Sequence, residues 1–246
     1  MIFQQIITRV RDPFFKRAFL ALVLSAIVIL IVGQWTDIDL MIEDYYYDEE
    51  IRAFPWLESW FAKDLMHGYV KNVIIKSGYL LILVVILDVI FRFSIINTFS
   101  RTRMRFVAIA SVLVPTMIRG VKEFSVLHCP WTIDRYGGSA PFLRLLDHVP
   151  DGMQAGQCFP AGHATVGLWL AAICVFWLPH KPKVALAVFF GGLSVGLMLG
   201  WVQQMRGAHF LFHTLWAAWL ASLVILAMLT ITNRITKEEF NHDGST

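Results

Sequence analysis

Charged residues are scarce in this chain. Asp, Glu, Lys and Arg make up 16% of its 246 positions, against 57% hydrophobic or aromatic ones. So little charge excludes a disordered segment and most soluble folds. Neither sign dominates: 21 Lys and Arg face 18 Asp and Glu, a net charge of +3, and no basic excess points to nucleic acid as a partner. Cysteine is sparse as well. Three cysteines cannot build the disulfide framework of a small secreted domain, although Cys129 and Cys158 fall between apolar runs and one bridge is possible. Internal repeats are lacking, which leaves an inverted-repeat transporter without support.

What the chain has instead is long apolar stretches, nineteen Phe, nine Trp and a mean hydropathy of +0.61. Runs near twenty residues match the ~30 Å hydrocarbon core of a bilayer. Six windows qualify, at 18–36, 72–92, 104–121, 161–180, 184–205 and 210–233. They predict an all-α fold, a polytopic bundle of six transmembrane helices forming a single membrane domain over 1–246. The second window holds Lys76 and Asp88 and the third ends at Arg119, charges that snorkel or face a polar interior. The basic start with Arg9, Arg11, Lys16 and Arg17 could pass for a signal peptide. Against that, the run from Ala18 ends in Gly33-Gln34-Trp35 without a cleavage pattern, as a retained first span would.

Cations fix an orientation, because Lys and Arg collect on the cytoplasmic side. They precede the first window, join the second to the third (Arg92, Arg101, Arg103, Arg105), join the fourth to the fifth (Lys181, Lys183) and follow the sixth (Arg234, Lys237). Both termini are therefore expected in the cytoplasm. The loop 37–71, holding nine of the eighteen acids, the loop 122–160 and the turn at Arg206-Gly207-Ala208 face the other side. Residues 1–17 read as a basic interfacial segment, either an amphipathic helix or a frayed tail, and 234–246 as a cytoplasmic tail.

Residues of catalytic type gather on the extracytoplasmic side, at the ends of the third, fourth and fifth windows. They form three clusters: Lys122 to Trp131; Cys158-Phe159-Pro160-Ala161-Gly162-His163; and Arg206-Gly207-Ala208-His209 through His213. If helical hairpins join these ends, cations and histidines share one pocket. Lys122 and Arg206 would hold phosphate oxygens, Arg through a bidentate fork. Pro160-Ala161-Gly162-His163 reads as a helix start whose free N–H groups bind anions. One histidine would attack phosphorus and another protonate the leaving oxygen. A lone histidine at a span end is more often an interfacial polar residue, the reading preferred for His128 and His180.

In order and spacing the three clusters resemble the motifs of the type 2 phosphatidic acid phosphatase family, relatives of the vanadium haloperoxidases: Lys-x6-Arg-Pro, Pro-Ser-Gly-His and Ser-Arg-x5-His-x3-Asp. The resemblance covers Lys122 to His213 and implies the helical core of that family. It implies His209 as nucleophile, His163 as general acid, and Lys122 with the Gly162 backbone as phosphate ligands, with no metal or cofactor. Four positions depart from the pattern: Cys129 stands for Arg, Ala161 for Ser, Gln203 for Arg and His213 for Asp. Arg206, one turn beyond Gln203, and then Arg135 are the expected replacement ligands. His213, i+4 from His209, is the expected orienting group, with Asp134 or Asp147 contributing. Cys129 and Cys158 each adjoin a motif on the oxidising side and are expected to pair, with two free thiols as the alternative.

The function these features imply is a metal-independent phosphatase acting on a membrane lipid phosphate or diphosphate. It would work at the outer face of a bacterial-type inner membrane through a phosphohistidine, with the lipid and the bilayer as partners. Three alternatives stay open. They are a lipid phosphotransferase using the same site, a zinc-dependent membrane hydrolase using His209, His213 and His163 or Cys158, and a non-catalytic lipid-phosphate binder. The zinc reading lacks the general-base Glu of His-Glu-x-x-His, since Phe210, Leu211 and Phe212 fill the gap.

Overall fold

A computed structural model describes residues 13–232. The chain is helical, with no strand beyond isolated bridges among the described residues. Among the described residues, five helical segments are long and apolar enough to cross a membrane. The first, α1 (Pro13–Trp35), starts five residues before its apolar window, with Pro at its first position where no donor is lost. The expected interfacial segment 1–17 thus lies mostly outside the described residues, and its last five residues belong to α1. The expected tail 234–246 lies outside them altogether.

The expected loop 37–71 is largely helical. It holds α2 (Ile38–Tyr46), a 3-10 turn (Pro55–Leu57) and a π-helix (Trp60–Val70) that runs directly into α3 (Lys71–Phe91). Of its nine acids, Asp39, Glu43 and Asp44 lie on α2 and Asp64 on the π-helix. The third span, α4 (Thr98–Glu123), extends past its apolar window at both ends, beginning on an Asn97 side chain that accepts the Ser100 N–H.

The fourth span differs from expectation. In place of 161–180, the chain turns through 160–164, forms four residues of α-helix (α5, Thr165–Leu168) and continues as nine residues of 3-10 helix (Trp169–Trp177). Residues 160–164 therefore precede the helix rather than open it. The short element is apolar but below the length of the five spans. Its last carbonyls are met from α4: the buried Arg103 donates to the carbonyls of Val175 at 2.9 Å and Leu178 at 2.7 Å. A cation expected at a membrane surface is used here to close a helix end.

Two spans complete the bundle, α6 (Pro182–Met205) and α7 (Leu211–Ile231). Gly192 and Gly196 on α6 let its backbone meet the short element. A Cβ at Gly192 would lie 2.5 Å from the Cα of Ala171, and one at Gly196 would lie 2.8 Å from the Leu168 nitrogen. Small residues at four-residue spacing are what apolar spans use to approach closely. The main core fills the space between α4, the short element, α6 and α7, with Ile118, Val114, Leu168, Val175, Ala217 and Ile225 fully or nearly fully buried.

Candidate active site

Backbone hydrogen bonds tie the three motif segments together at one end of the bundle. Gly156, Gln157 and Cys158 donate to the carbonyls of Val126, Ser125 and Leu127, so the chain entering the second motif pairs with the chain leaving the first. Trp131 N–H donates to Gly207 at 3.0 Å, and Ala161 N–H to His213 at 3.0 Å. Cys129 and Cys158 are bonded to one another, with a Cα–Cα distance of 5.3 Å. The bridge clamps the first motif to the second.

The end of α6 places the third motif. Gly207 adopts a left-handed conformation at φ 68°, its N–H returning to the carbonyl of Gln204 and that of Ala208 to Gln203. This is the Schellman ending that glycine makes without strain. It leaves Arg206 at the helix C-cap and His209 just before α7. Asp39 of α2 then caps α7 from outside, its carboxylate accepting the Phe212 N–H at 3.0 Å. Burial raises the Asp39 carboxyl to about 6, against the hydrogen bonds from Phe212 and Leu211. Glu43, one turn along α2, is fully buried with both carboxylate oxygens unpartnered among the described residues, and burial followed by the nearby Asp39 and Asp44 pushes its carboxyl well up.

Four imidazoles collect around this turn. The rings of His163 and His209 are 5.8 Å apart between centroids, those of His209 and His213 6.0 Å, and those of His67 and His163 4.8 Å. His67, on the π-helix, belongs to none of the three motifs. Its Nε2 lies 3.0 Å from Nε2 of His163, and Lys71 Nζ lies 3.5 Å from it. The signal available in the sequence was position alone, since His67 and Lys71 stand four residues apart before the second window. A π-helical stretch, rare in general and frequent at functional sites, turns His67 toward His163, and Lys71 follows as the first residue of α3.

His209 and His213 are buried, at 2% and 3% exposure. Desolvation pushes the His209 imidazole well down from its usual range, aided by His213, His163 and Lys122; a hydrogen bond to the Cys158 backbone opposes this. The His209 Nδ1 lies 3.4 Å from Cys158 Sγ. His213 contacts His209 only ring to ring and its own Nδ1 has no partner among the described residues, so the orienting contact on His209 comes from Cys158. His163 is lowered to about 4, by burial first and then by His67, Lys71, Lys122 and Arg206.

Two cations flank the cluster. Lys122 ends α4, and a Cβ built on Gly162 would lie 3.6 Å from its Nζ. Both line a cavity of about 430 Å³ with Pro115, Arg119, Glu123, Gln157 and Thr165. Arg206 is buried near His163 and His67, its Nη1 donating to Gln203 Oε1 at 3.1 Å and its Nε to the Leu57 carbonyl at 3.3 Å, with no carboxylate partner among the described residues. Gln203, at the position of the family's Arg, thus holds the arginine one turn on.

Other expected groups lie elsewhere. Arg135 is committed to Asp44 through Nε at 2.8 Å and Nη2 at 2.7 Å, a planar fork that leaves little of it for a phosphate. Asp134 accepts the Arg135 N–H, and Asp147 takes bonds from Gln34 and the Arg144 backbone, so neither orients His209. Arg119 pairs with Glu123 and is mostly exposed. His128 meets Thr132 and the Gln154 carbonyl, as a structural residue would. A second cavity, about 520 Å³ between α1, α6 and α7, is lined mainly by apolar side chains; none of the histidines lines either cavity.

A donor set for zinc fits poorly. Ligand atoms of Cys129, Cys158 and His209 lie within 4.8 Å of one another, but the sulfurs are joined and no thiolate is available.

A helical protein with membrane-length spans, whose loop-rich end groups histidines between two cations, is the class this architecture defines. Residues 102–237, more than half the chain, match the model of the PAP2 superfamily, and the protein belongs to that superfamily, whose members are phosphatases. No curated protein and no solved structure matches the chain.

Proposed function

We propose that the protein is a metal-independent phosphatase removing phosphate from a membrane lipid phosphate or diphosphate through a phosphohistidine on His209. The observation that carries this reading is the placement of His209 beside His163, with Lys122 and Gly162 together at the cavity wall. Lys122 and the Gly162 backbone line the cavity a phosphoryl group would enter, and the charge of Lys122 reaches both His209 and His163. Arg206, whose charge also reaches His163, offsets further charge. Donors aimed at the phosphoryl oxygens are each worth ~3 kcal/mol or more in such sites.

The reaction proceeds in two steps. His209 attacks phosphorus in line while His163, as imidazolium, passes its proton to the leaving oxygen. Water then attacks the phosphohistidine, gives its proton to His163, and releases phosphate with the His209 ring restored. His163 is neutral in the empty site, and the charge of the bound phosphate favours its protonated form. His209 precedes the first turn of α7, where the helix N-terminus favours the negative charge the phosphohistidine carries.

The cation pattern supports placing the site outside the cytoplasm of a bacterial-type inner membrane, with both termini inside. On this reading the short 165–177 element is the sixth crossing. Its 3-10 stretch rises ~2.0 Å per residue, which brings it to roughly 24 Å. Purified protein in detergent, given a panel of lipid phosphates with EDTA present, tests the proposal. Phosphate release from at least one lipid is expected, and its absence from all would overturn it.

A further inference from the structure

The pairing of His67 with His163 has a determinable sense. Two imidazole nitrogens 3.0 Å apart form a hydrogen bond only when one carries the proton and the other presents a bare lone pair. Two independent contacts decide which is which. Lys71 Nζ approaches the same Nε2 of His67 at 3.5 Å, and an ammonium group donates and never accepts. At the far side of the pair, His163 Nδ1 is buried without a partner among the described residues. An orphaned buried N–H is among the rarest features of folded proteins, so that nitrogen is the bare one. Both contacts give the same answer: the shared proton sits on His163 Nε2 and is accepted by His67 Nε2.

We infer that His67 is a positioning residue for His163, accepting its Nε2 proton in the empty site and so fixing the tautomer that keeps a proton on the nitrogen used to protonate the leaving oxygen. The inference rests on the phosphohistidine reading for its catalytic meaning but not for the pairing itself. The groups facing the pair are Lys71 from its own helical run, Arg206 from the end of α6, Lys122 from the end of α4, and His209 beside His163. All the charged ones are cations, which disfavours a further positive charge on either ring until an anion arrives.

When substrate binds, the bare Nδ1 of His163 takes up one proton from solvent to give the imidazolium, and the leaving oxygen replaces His67 as the partner of Nε2. The proton moves from that nitrogen to the oxygen as the P–O bond breaks and His209 bonds to phosphorus, leaving His163 neutral. Attack by water on the phosphohistidine returns a proton to the same nitrogen as the P–N bond breaks. With phosphate gone, the excess proton leaves to solvent and His163 Nε2–H again points to His67. No proton is gained or lost over the cycle beyond those of substrate, water and product.

Full-length protein with 15N-labelled histidine, studied by long-range proton–nitrogen correlation without substrate near pH 7.5, tests the pairing directly. The His163 signal, assigned by its loss in His163→Gln, is expected to show protonated Nε2 and bare Nδ1. That pattern is expected to be lost in His67→Leu and kept in His67→Gln, whose side-chain carbonyl accepts the same proton. In turnover, His67→Leu is expected to lower kcat by about tenfold or more with KM little changed, and His67→Gln to recover most of it. A wild-type His163 protonated on Nδ1, or a tautomer indifferent to His67→Leu, overturns the inference; the wild-type spectrum decides even if His67→Leu fails to fold. An inactive wild-type protein with the expected tautomer would sink the phosphatase reading and leave the pairing intact.

Discussion

Two adjacent glycines on α6 give opposite predictions. A methyl group at Gly192 would lie 2.5 Å from Ala171 Cα and 2.6 Å from the Leu170 carbonyl carbon, whereas one at Gly191 meets nothing within 4 Å. The atoms opposing Gly192 are backbone and cannot rotate away. Restoring ordinary contact means separating α6 from the 165–177 element by about 1 Å, at the ~1 to 3 kcal/mol typical of overpacking. Gly192 is remote from the chemistry, roughly 21 Å along α6 from Arg206 at ~1.5 Å per residue. Yet the two elements it would separate carry Arg206 and His163, and a misplacement of ~1 Å at a reacting geometry costs about a hundredfold. Gly192→Ala is therefore expected to lower the melting temperature in detergent and to cut kcat/KM strongly. Gly191→Ala is expected to be neutral or stabilising, since alanine is the better helix former by ~1 kcal/mol. Thermal melts and phosphate release on both variants check this. A Gly192→Ala protein with wild-type melting and turnover would refute the close contact between these helices.

Other outcomes follow from individual side chains. Arg206→Ala is expected to reduce kcat/KM by ~100-fold or more, measured on whichever lipid phosphate is turned over; a near-wild-type value would remove Arg206 from the site. Reducing the Cys129–Cys158 bridge, or replacing both cysteines by alanine, is expected to cost ~3 to 4 kcal/mol of stability for a sequence separation of 29, read as a lower melting temperature. Asp39 is protonated more readily in the fold than in the unfolded chain, 3.8 rising to about 6. Its contribution is complete below pH 4 and is lost as pH rises through 6, by up to ~3 kcal/mol. Asp39→Asn, which still accepts the Phe212 N–H, should flatten that slope in melts taken from pH 4 to pH 7.

Much of this was legible in the sequence, because apolar periodicity and motif order report directly on spans and on which span ends meet. Five of the six apolar windows correspond to long helices, and all three motif segments meet at one end. The departures have physical causes. The 37–71 segment carries nine acids, which suggested a solvated loop, but Asp39 and Glu43 turn inward, one to cap α7 and the other into a buried position. The 161–180 window is apolar enough for a full span, yet the chain turns through 160–164 before its helix begins, and Arg103 closes its other end. Arg135 looked available because charge alone does not show a partner ninety-one residues away, which Asp44 is. His67 was invisible for the same reason, since its meaning comes only from contact with His163.

The central claim is that His209 carries the phosphoryl group. Brief reaction with a lipid labelled on its phosphate with 32P, quenched in base that preserves phosphohistidine, measures this most directly. The account predicts acid-labile label on the wild-type protein, retained at one histidine and abolished in His209→Ala. Equal label in His209→Ala, or turnover by a protein that never becomes labelled, would contradict it.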